Sequence, residues 1–376
     1  MFQISKEDEE WRAKVREYAQ KVIRPRAHEI DAKGEFPIDL IKEMGRMGIM
    51  GMIVPKEWGG PGISTIAYAM GVEEISRVCG STGITVAAHN SLCTGHINLA
   101  GSPEQKEKYL RKLATGEYIG AWGLTEPGAG SDAGGVQTFA VRDGDGWRIN
   151  GQKLFITNGH IADVFVIMAK TDPEKGSKGI SAFVFPRGTK GLKMGKMEEK
   201  LGLKGSITSQ FFIEDMWLPD DALLGQRGNG FRDALTILDS GRISIGSLAL
   251  GLAQGALDAT LEYARTHIDL RKPENEWINF TIADMATEIE AARLLIYNAA
   301  WLKDMKKPMA KEASIAKLYA SEVGTRCAIR AINILGPAGC TKEYPVERIL
   351  RDVKLCEIGE GTSEIQRIVI ARQLGL

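Results

Sequence analysis

Hydrophobic positions recur at helical spacing over roughly the first third of the chain. Trp11, Val15 and Tyr18 follow one another at three- or four-residue steps, which is the period of an amphipathic helix. Proline and glycine clusters, such as the one at Trp58–Gly62, divide the stretch into several helices. We therefore predict a helical region over residues 1–118.

The pattern changes between residues 119 and 227. Short apolar runs bounded by polar and turn residues predict strands at residues 163–168, 180–185 and 210–213. Between two such runs lies Asp143–Gly146, whose Asp-Gly-Asp-Gly sequence predicts a hairpin turn. We therefore predict that this part of the chain forms a β-sheet.

Long stretches rich in alanine and leucine follow from residue 228 to the last residue. They predict helices, with breaks near Arg271–Pro273 and Gly336–Gly339. Strands do not alternate with helices along the chain, which argues against a parallel, doubly wound nucleotide-binding sheet. The expected fold class is α+β with three domains, at residues 1–118, 119–227 and 228–376.

Composition and charge exclude some classes of protein. Lysine plus arginine equals aspartate plus glutamate, 48 each, so the basic excess of a nucleic-acid-binding protein is missing. No uninterrupted apolar run reaches the length of a membrane span. The five cysteines show no CxxC spacing, which is typical of a reduced compartment and gives no metal-binding pattern. We expect a cytoplasmic protein without a nucleic-acid or membrane partner and without a bound metal.

Two segments of the predicted sheet region have residues suited to holding a flat ligand. Leu124–Asp132 combines small residues with hydroxyls and free backbone N–H groups, although a plain glycine-rich turn would look the same. Phe155 and Thr157 could place a ring and a donor against a cofactor, or belong to an ordinary core strand. A GxGxxA match at residues 128–133 does not open an apolar helix, so we do not interpret it as a dinucleotide fingerprint.

A third segment, near the end of the chain, offers a carboxylate in a position where it could act as a base. Glu360 lies between two glycines, and Ser363 with Gln366 forms an S-x-x-Q pattern that predicts a capping box and a helix start. An apolar substrate would desolvate a carboxylate there and raise its pKa. The alternative is a solvated acid that interacts with the positive end of the helix.

These three segments, in this order and spacing, resemble the acyl-CoA dehydrogenase family over the whole chain, closest to its short-chain, butyryl-CoA type. Further stretches support the resemblance, namely Glu73–Arg77, Gly101–Lys106, Leu238–Arg242, Glu343–Arg348 and Arg351–Asp352. Many matches in register over 376 residues are a far more specific signal than any one of them.

The resemblance implies a fold, a reaction and partners. The fold would be a helical N-terminal domain, a central β-domain and a C-terminal four-helix bundle, assembled as a homotetramer (a dimer of dimers). The reaction would be FAD-dependent dehydrogenation of an acyl-CoA to the trans-2-enoyl-CoA, in which Glu360 abstracts the α-proton and flavin N5 accepts the β-hydride. An electron-transfer flavoprotein would receive the electrons.

The resemblance also assigns roles to residues that match the family's motifs. The expected catalytic base is Glu360, and the family's second base location corresponds here to Gly241. The expected FAD contacts are Trp122, Leu124, Thr125, Gly130, Ser131, Phe155, Ile156, Thr157, Asn333, Gly336, Thr362 and Glu364. The expected acyl-CoA contacts are Ser131, Ser177, Asp239, Arg242, Gly359 and Gly361.

Some positions depart from the family pattern and leave alternatives open. The segments His267–Pro273 and Asn333–Cys340 are altered where relatives bind the adenosine-pyrophosphate end of a neighbouring subunit's FAD. Gly359 stands where a tyrosine is common, which indicates either a roomier acyl pocket or added flexibility alone. The chain could also work as an enoyl-CoA reductase, or as a flavin-poor partner subunit of a mixed oligomer.

Overall fold

A computed structural model of the protein describes residues 3–376 and begins with a set of short helices. These are α1 (Lys6–Tyr18), α2 (Ala27–Lys33), α3 (Ile38–Arg46), α4 (Thr65–Ser76), α5 (Gly80–Ala88), α6 (Gly95–Ala100), α7 (Pro103–Gln105) and α8 (Arg111–Ala114). Single π-helical turns interrupt the regular spacing at Ala19–Ile23, His89–Thr94 and Lys106–Leu110. Such turns are rare in proteins as a whole, and those that occur are often found at functional sites.

An eight-stranded sheet follows the first helices. Its strands are β1 (Gly120–Gly123), β2 (Phe139–Asp143), β3 (Gly146–Thr157), β4 (Val164–Lys170), β5 (Ile180–Pro186), β6 (Leu192–Met197), β7 (Thr208–Pro219) and β8 (Leu223–Leu224). The order across the sheet is β6-β7-β3-β2-β4-β5-β8, and β1 pairs with β4 in parallel.

The strand register confirms the sequence predictions for this region. The three predicted runs lie in β4, β5 and β7. The predicted hairpin joins β2 to β3, with Asp143 opposite Gly146 and Gly144 at a φ of 62°. A positive φ in a tight turn is where glycine is favoured. The pairing of β3 with β7 shifts register between Lys153 and Ile156, which is a β-bulge.

Long helices complete the chain, and the predicted fold class is confirmed. They are α9 (Gly230–His267), α10 (Glu276–Asp304), α11 (Ala310–Leu335), α12 (Val346–Val353) and α13 (Ser363–Gln373). Helices α9, α10 and α11 pack on one another, and α13 packs on α11. Within residues 3–376, α9 alone is long and apolar enough to cross a membrane, but 72% of its most apolar window is buried in the protein. Helix α9 is therefore a core helix.

A buried carboxylate joins the N-terminal helices to the C-terminal bundle. Glu73 of α4 is 1% exposed and accepts a hydrogen bond from the Tyr297 hydroxyl of α10 at 2.6 Å. The guanidinium of Arg293, also on α10, lies 3.1 Å from the same carboxylate, and that of Arg12 on α1 lies 3.5 Å away. Because a buried charge must be paired and hydrogen-bonded, this network fixes α1 and α10 against α4.

A second buried ion pair holds the loop that follows β1. Lys153 of β3 is fully buried, and its Nζ lies 2.7 Å from Glu126 Oε1 and 2.8 Å from the carbonyl of Met168. The Glu126 carboxylate also accepts the backbone N–H of Thr138 at 3.1 Å. Burial opposes the ionisation of Glu126, but the Lys153 charge together with the hydrogen bonds from Lys153, Thr138 and Gln137 outweighs this and keeps the Glu126 pKa below its ordinary value. The pair anchors both ends of the loop 124–138 to the sheet.

We predict that Lys153→Met lowers the free energy of unfolding by about 3–5 kcal/mol, because it leaves the Glu126 charge buried without its partner. Urea unfolding of the purified protein measures this change. The double variant Glu126→Gln/Lys153→Met should regain part of the loss. As a matched control, Lys193→Met removes the lysine of an exposed pair with Glu214 and should change the stability by about 0–1 kcal/mol. Equal effects of the two lysine variants would contradict this account of the loop.

Candidate active site

Glu360 lies in a strained turn between two short helical segments. The 3-10 turn Lys354–Glu357 precedes it, and α13 begins three residues after it. Glu360 and Gly361 both have left-handed backbone conformations, with φ of 53° and 96°. Glycine adopts this conformation without steric cost, whereas a glutamate there is strained by about 1–3 kcal/mol. Strain of this kind is concentrated at functional sites, where the surrounding structure maintains it.

The start of α13 is where the sequence predicted it, but the predicted capping box is wrong. The capping residue is Thr362, whose Oγ1 accepts the N–H of Ile365 at 3.3 Å. Ser363 is the first residue of the helix, and its Oγ is buried without a hydrogen-bond partner within residues 3–376. Gln366 donates from Nε2 to the carbonyl of Gly361 at 3.0 Å instead of reaching back to Ser363.

The Glu360 carboxylate packs directly against the backbone of α9. A Cβ atom at position 241 would lie 1.9 Å from Glu360 Oε2, so only glycine allows this approach. Oε2 itself is buried and has no hydrogen-bond partner in the described part of the chain. Gly241, which the resemblance matches to a second base location, therefore faces the Glu360 carboxylate in this fold.

Burial raises the pKa of Glu360 to about 7, against the opposing charges of Lys317 and Arg242. Arg242 is buried and pairs with Asp239, which lies one turn before it on α9. The guanidinium Nε of Arg242 is buried and has no acceptor among residues 3–376. A carboxyl group with a pKa near neutrality is suited to taking up a proton at physiological pH.

Polar side chains of α4 and α9 also lie near the carboxylate. Tyr68 of α4 is buried, and its hydroxyl lies 2.7 Å from Ser244 Oγ. Burial raises the pKa of Tyr68, and the Glu360 charge adds to this effect, which places the phenol within electrostatic range of the base. The sequence reasoning did not identify Tyr68 or Ser244, because a tyrosine and a serine on apolar helices are ordinary core residues.

Of the predicted flavin contacts in the sheet region, Trp122 lies on β1, Thr125 lies just after β1, and Phe155 lies on β3. Trp122 of β1 is buried, and its indole N–H donates to His96 Nδ1 at 3.0 Å. The carbonyl of Thr125 accepts the N–H of Leu154 at 2.9 Å, which joins the loop after β1 to the end of β3. Phe155 is 60% exposed and has a φ of 57°. An exposed aromatic residue held in a strained bulge indicates a surface that is completed by a ligand.

The predicted CoA contacts follow the first half of α9. Gly130 and Ser131 are exposed in the loop after β1. A Cβ atom at Gly134, in the same loop, would lie 3.7 Å from Ser177 Cβ and 3.8 Å from the ring of Phe231. Phe231 precedes Gly241 by ten residues, which is about 15 Å along a helix. The loop and Ser177 thus lie near the start of α9, and the base lies ten residues further along it.

Within a single chain, the fold does not bring Asn333 and Gly336 close to Glu360. Lys317 of α11 lies next to Glu360, and Asn333 follows it by sixteen residues, which is about 24 Å along the helix. The other segment that departs from the family pattern begins with His267, the last residue of α9. There the rings of Tyr263 and His267 stack at 4.4 Å, and Tyr344 packs against Tyr263 at 5.3 Å.

Lys317 is the charged residue of the site that the sequence reasoning missed. It is fully buried on α11, with Nζ 2.5 Å from the carbonyl of Gly361. A signal is present in the sequence, since Lys317 interrupts a buried stripe formed by Ala313, Ala316 and Ala320. A lysine in such a stripe is rare without a specific partner.

The residues present fit an FAD and a thioester substrate. Glu360 Oε2 is an orphaned buried acceptor, and the absent side chain at Gly241 leaves room beside it. The backbone N–H of Glu360 donates to no acceptor within residues 3–376, so it is available to a ligand. The exposed ring of Phe155 follows Leu154, whose N–H donates to the Thr125 carbonyl, so Phe155 and Thr125 lie in the same part of the structure.

Comparison with known proteins agrees with these features. Models of the acyl-CoA dehydrogenase N-terminal, middle and C-terminal domains match residues 5–117, 121–216 and 228–375. A short-chain specific acyl-CoA dehydrogenase of Clostridium acetobutylicum is 46% identical over 99% of both chains. The butyryl-CoA dehydrogenase structure from Megasphaera elsdenii covers 100% of both chains with a TM-score of 0.97 and 39% identity.

A second solved structure is equally similar in fold. It belongs to a study of the electron-transferring flavoprotein of Acidaminococcus fermentans and of flavin-based electron bifurcation. Its chain has a TM-score of 0.97 and 42% identity, and the match covers 100% of this chain and 99% of the other. The present chain therefore belongs to the acyl-CoA dehydrogenase family and is an FAD-dependent oxidoreductase that acts on acyl-CoA.

Proposed function

We propose that Glu360 removes the α-proton of a short-chain acyl-CoA as the 2,3-double bond forms. The observation that carries this proposal is the buried, unpartnered Oε2 of Glu360 against the bare backbone of Gly241. A carboxylate in this position is desolvated, and its raised pKa of about 7 suits a base that works near neutral pH.

The residues around the base would stabilise the charge that develops on the substrate. A thioester α-proton is far too weakly acidic for a carboxylate alone, so the enolate oxygen needs a donor in the transition state. The free backbone N–H of Glu360 is suited to this role because the left-handed turn at residues 360–361 keeps it out of α13. When bound, FAD supplies the acceptor for the β-hydride.

We propose the following residues as ligand contacts, on the basis of the resemblance. For FAD they are Trp122, Leu124, Thr125, Gly130, Ser131, Phe155, Ile156, Thr157, Thr362 and Glu364. For acyl-CoA they are Ser131, Ser177, Asp239, Arg242, Gly359 and Gly361. Asn333 and Gly336 would reach the FAD of a second copy, because they lie about 24 Å along α11 from the base.

We also propose an electron-transfer flavoprotein as the partner that reoxidises the enzyme. One structural relative was solved in a study of such a flavoprotein. A short-chain acyl group is supported by the name of the Clostridium relative. The three atoms nearest to a Cβ at Gly359 would all belong to Leu355, at 3.4–3.6 Å, so a Cβ there would make ordinary van der Waals contact. Bleaching of the flavin by a panel of acyl-CoAs tests the choice of substrate.

The chain is proposed to divide at residues 1–118, 119–227 and 228–376 and to work in the cytoplasm. The change from helix to sheet and back supports the division. The five cysteines are all unpaired, which is consistent with a reducing compartment.

We predict that Glu360→Gln retains bound flavin but reduces it about 10²–10⁴-fold more slowly with butyryl-CoA, because the amide cannot accept the proton. Flavin absorbance after purification measures the bound cofactor, and stopped-flow bleaching measures the rate. The control Glu322→Gln removes an acid that pairs with Arg367 of α13 and should keep the rate within a few-fold. Rapid bleaching by Glu360→Gln would exclude Glu360 as the base.

We predict that kcat/KM for butyryl-CoA rises with pH through a midpoint near 7, because the base must be ionised and its pKa is about 7.

The raised pKa of Glu360 also makes the stability of the fold depend on pH. The folded carboxyl binds its proton more tightly than the unfolded one, so its ionisation destabilises the fold. The stability of Glu360→Gln relative to the natural chain should therefore increase between pH 4.5 and 7 and level off above. If the difference in free energy of unfolding between Glu360→Gln and the natural chain stayed constant between pH 4.5 and 7, the raised pKa of Glu360 would be contradicted.

We predict that the protein is a homotetramer in solution. Trp277, Phe280 and Leu294 are half-exposed or more on one side of α10, and exposed apolar stripes of this kind mark interfaces. Light scattering should give four times the chain mass, and Phe280→Glu should lower it. The control Glu274→Gln changes a residue of the turn just before α10 and should leave the mass unchanged. A monomer mass for the natural chain would contradict the prediction.

A further inference from the structure

A fully buried lysine lies beside the base without a carboxylate bound to it. Lys317 is on the inner side of α11, and its one hydrogen bond within residues 3–376 goes to the carbonyl oxygen of Gly361, at 2.5 Å. Burying an ammonium group is costly unless the charge interacts favourably with its surroundings. A leucine or methionine would fill the same space among the alanines of α11 without that cost. The lysine therefore serves something other than packing.

The hydrogen bond from Lys317 holds the strained part of the active-site turn. The Gly361 carbonyl accepts both Lys317 Nζ and Gln366 Nε2, the latter at 3.0 Å. This oxygen belongs to the peptide that follows Gly361, so its two donors hold the end of the turn formed by Glu360 and Gly361, both of which are left-handed. Because a left-handed glutamate persists only when its surroundings determine it, the two donors account for the conformation of the turn.

The charge of Lys317 also acts on the Glu360 carboxylate. The charged and titratable groups that face this carboxylate are Lys317 from α11, Arg242 from α9 and Tyr68 from α4. Arg242 is paired with Asp239, whereas Lys317 forms no ion pair among the described residues. Cys356 and Glu357, just before the turn, face Lys317 as well. Of the two cations that oppose the effect of burial on the pKa of Glu360, Lys317 is the larger influence.

We propose that Lys317 is a positioning residue for the proton abstraction. It orients the Glu360–Gly361 turn through the Gly361 carbonyl and places a positive charge next to the carboxylate. The inference rests on the proposed role of Glu360 as the base. Lys317 touches neither the substrate nor the proton that is transferred, and it acts through the turn and the electric field.

The experiment compares Lys317→Met with the natural chain, both loaded with FAD. Methionine keeps the length of the side chain but has no charge and no donor. Losing a neighbouring cation disfavours the ionised carboxyl, so the midpoint of kcat/KM against pH should rise by about 1 unit. At pH 6 the rate should fall about tenfold, while KM at pH 8.5 should stay within about threefold.

Two further variants separate this role from a purely structural one. Lys317→Gln keeps a donor for the Gly361 carbonyl without the charge, so it should fold like the natural chain and still show the shifted midpoint. Lys303→Met removes another partly buried lysine, at the end of α10, whose pKa is lowered by burial against the opposing charge of Asp304, without a contribution from Glu360. It should lower the melting temperature without moving the pH midpoint.

The outcomes distinguish the inference from the function on which it depends. If Glu360→Gln is inactive but both Lys317 variants keep the natural midpoint and rate, the role of Lys317 is refuted and the base assignment stands. If Glu360→Gln bleaches the flavin rapidly, the base assignment itself fails. A midpoint shift in Lys303→Met equal to that of the Lys317 variants would also overturn the inference, because any loss of stability would then produce it.

Discussion

The contact between the Glu360 carboxylate and the backbone of α9 at Gly241 is the constraint on which the rest of the site depends. A side chain of any size at position 241 would occupy the space that the carboxylate fills. The glutamate reaches this space because the turn at residues 360–361 is left-handed, which directs the side chain away from α13 and towards α9. The position of the carboxylate therefore depends both on Gly241 of α9 and on the left-handed turn at residues 360–361.

That contact removes water from the carboxylate, and the charges around it limit the effect. Desolvation alone would push the pKa of Glu360 far upward and leave a neutral acid that could not accept a proton. Two buried cations oppose this, Lys317 directly and Arg242 after partial neutralisation by Asp239. Because the two cations offset only part of the desolvation, the carboxyl has a pKa raised to about 7 and remains available as a base.

The rest of the chain holds the surfaces that face this carboxylate. In the sheet, the buried pair of Glu126 and Lys153 anchors the loop that carries Ser131 and the end of the strand that carries Phe155. Helix α9 connects that loop to the base over about 15 Å, so the ends of an extended ligand would meet groups set by one rigid element. The opposite end of the bundle is about 24 Å along α11 from the base and is free to serve a second copy of the chain.

The sequence by itself determined the order of helix, sheet and helix, most strand positions, the hairpin at Asp143–Gly146 and the start of α13. These features depend on periodicity and turn chemistry, which act between neighbours in the chain. The sequence also indicated Glu360, because a carboxylate between two glycines before a helix is a local pattern. Only the tertiary structure decided that Thr362 is the cap and that Gln366 serves the Gly361 carbonyl. It alone brought Lys317 to Glu360, since the two lie 43 positions apart in the sequence and their contact depends on how α11 and the last turn pack together.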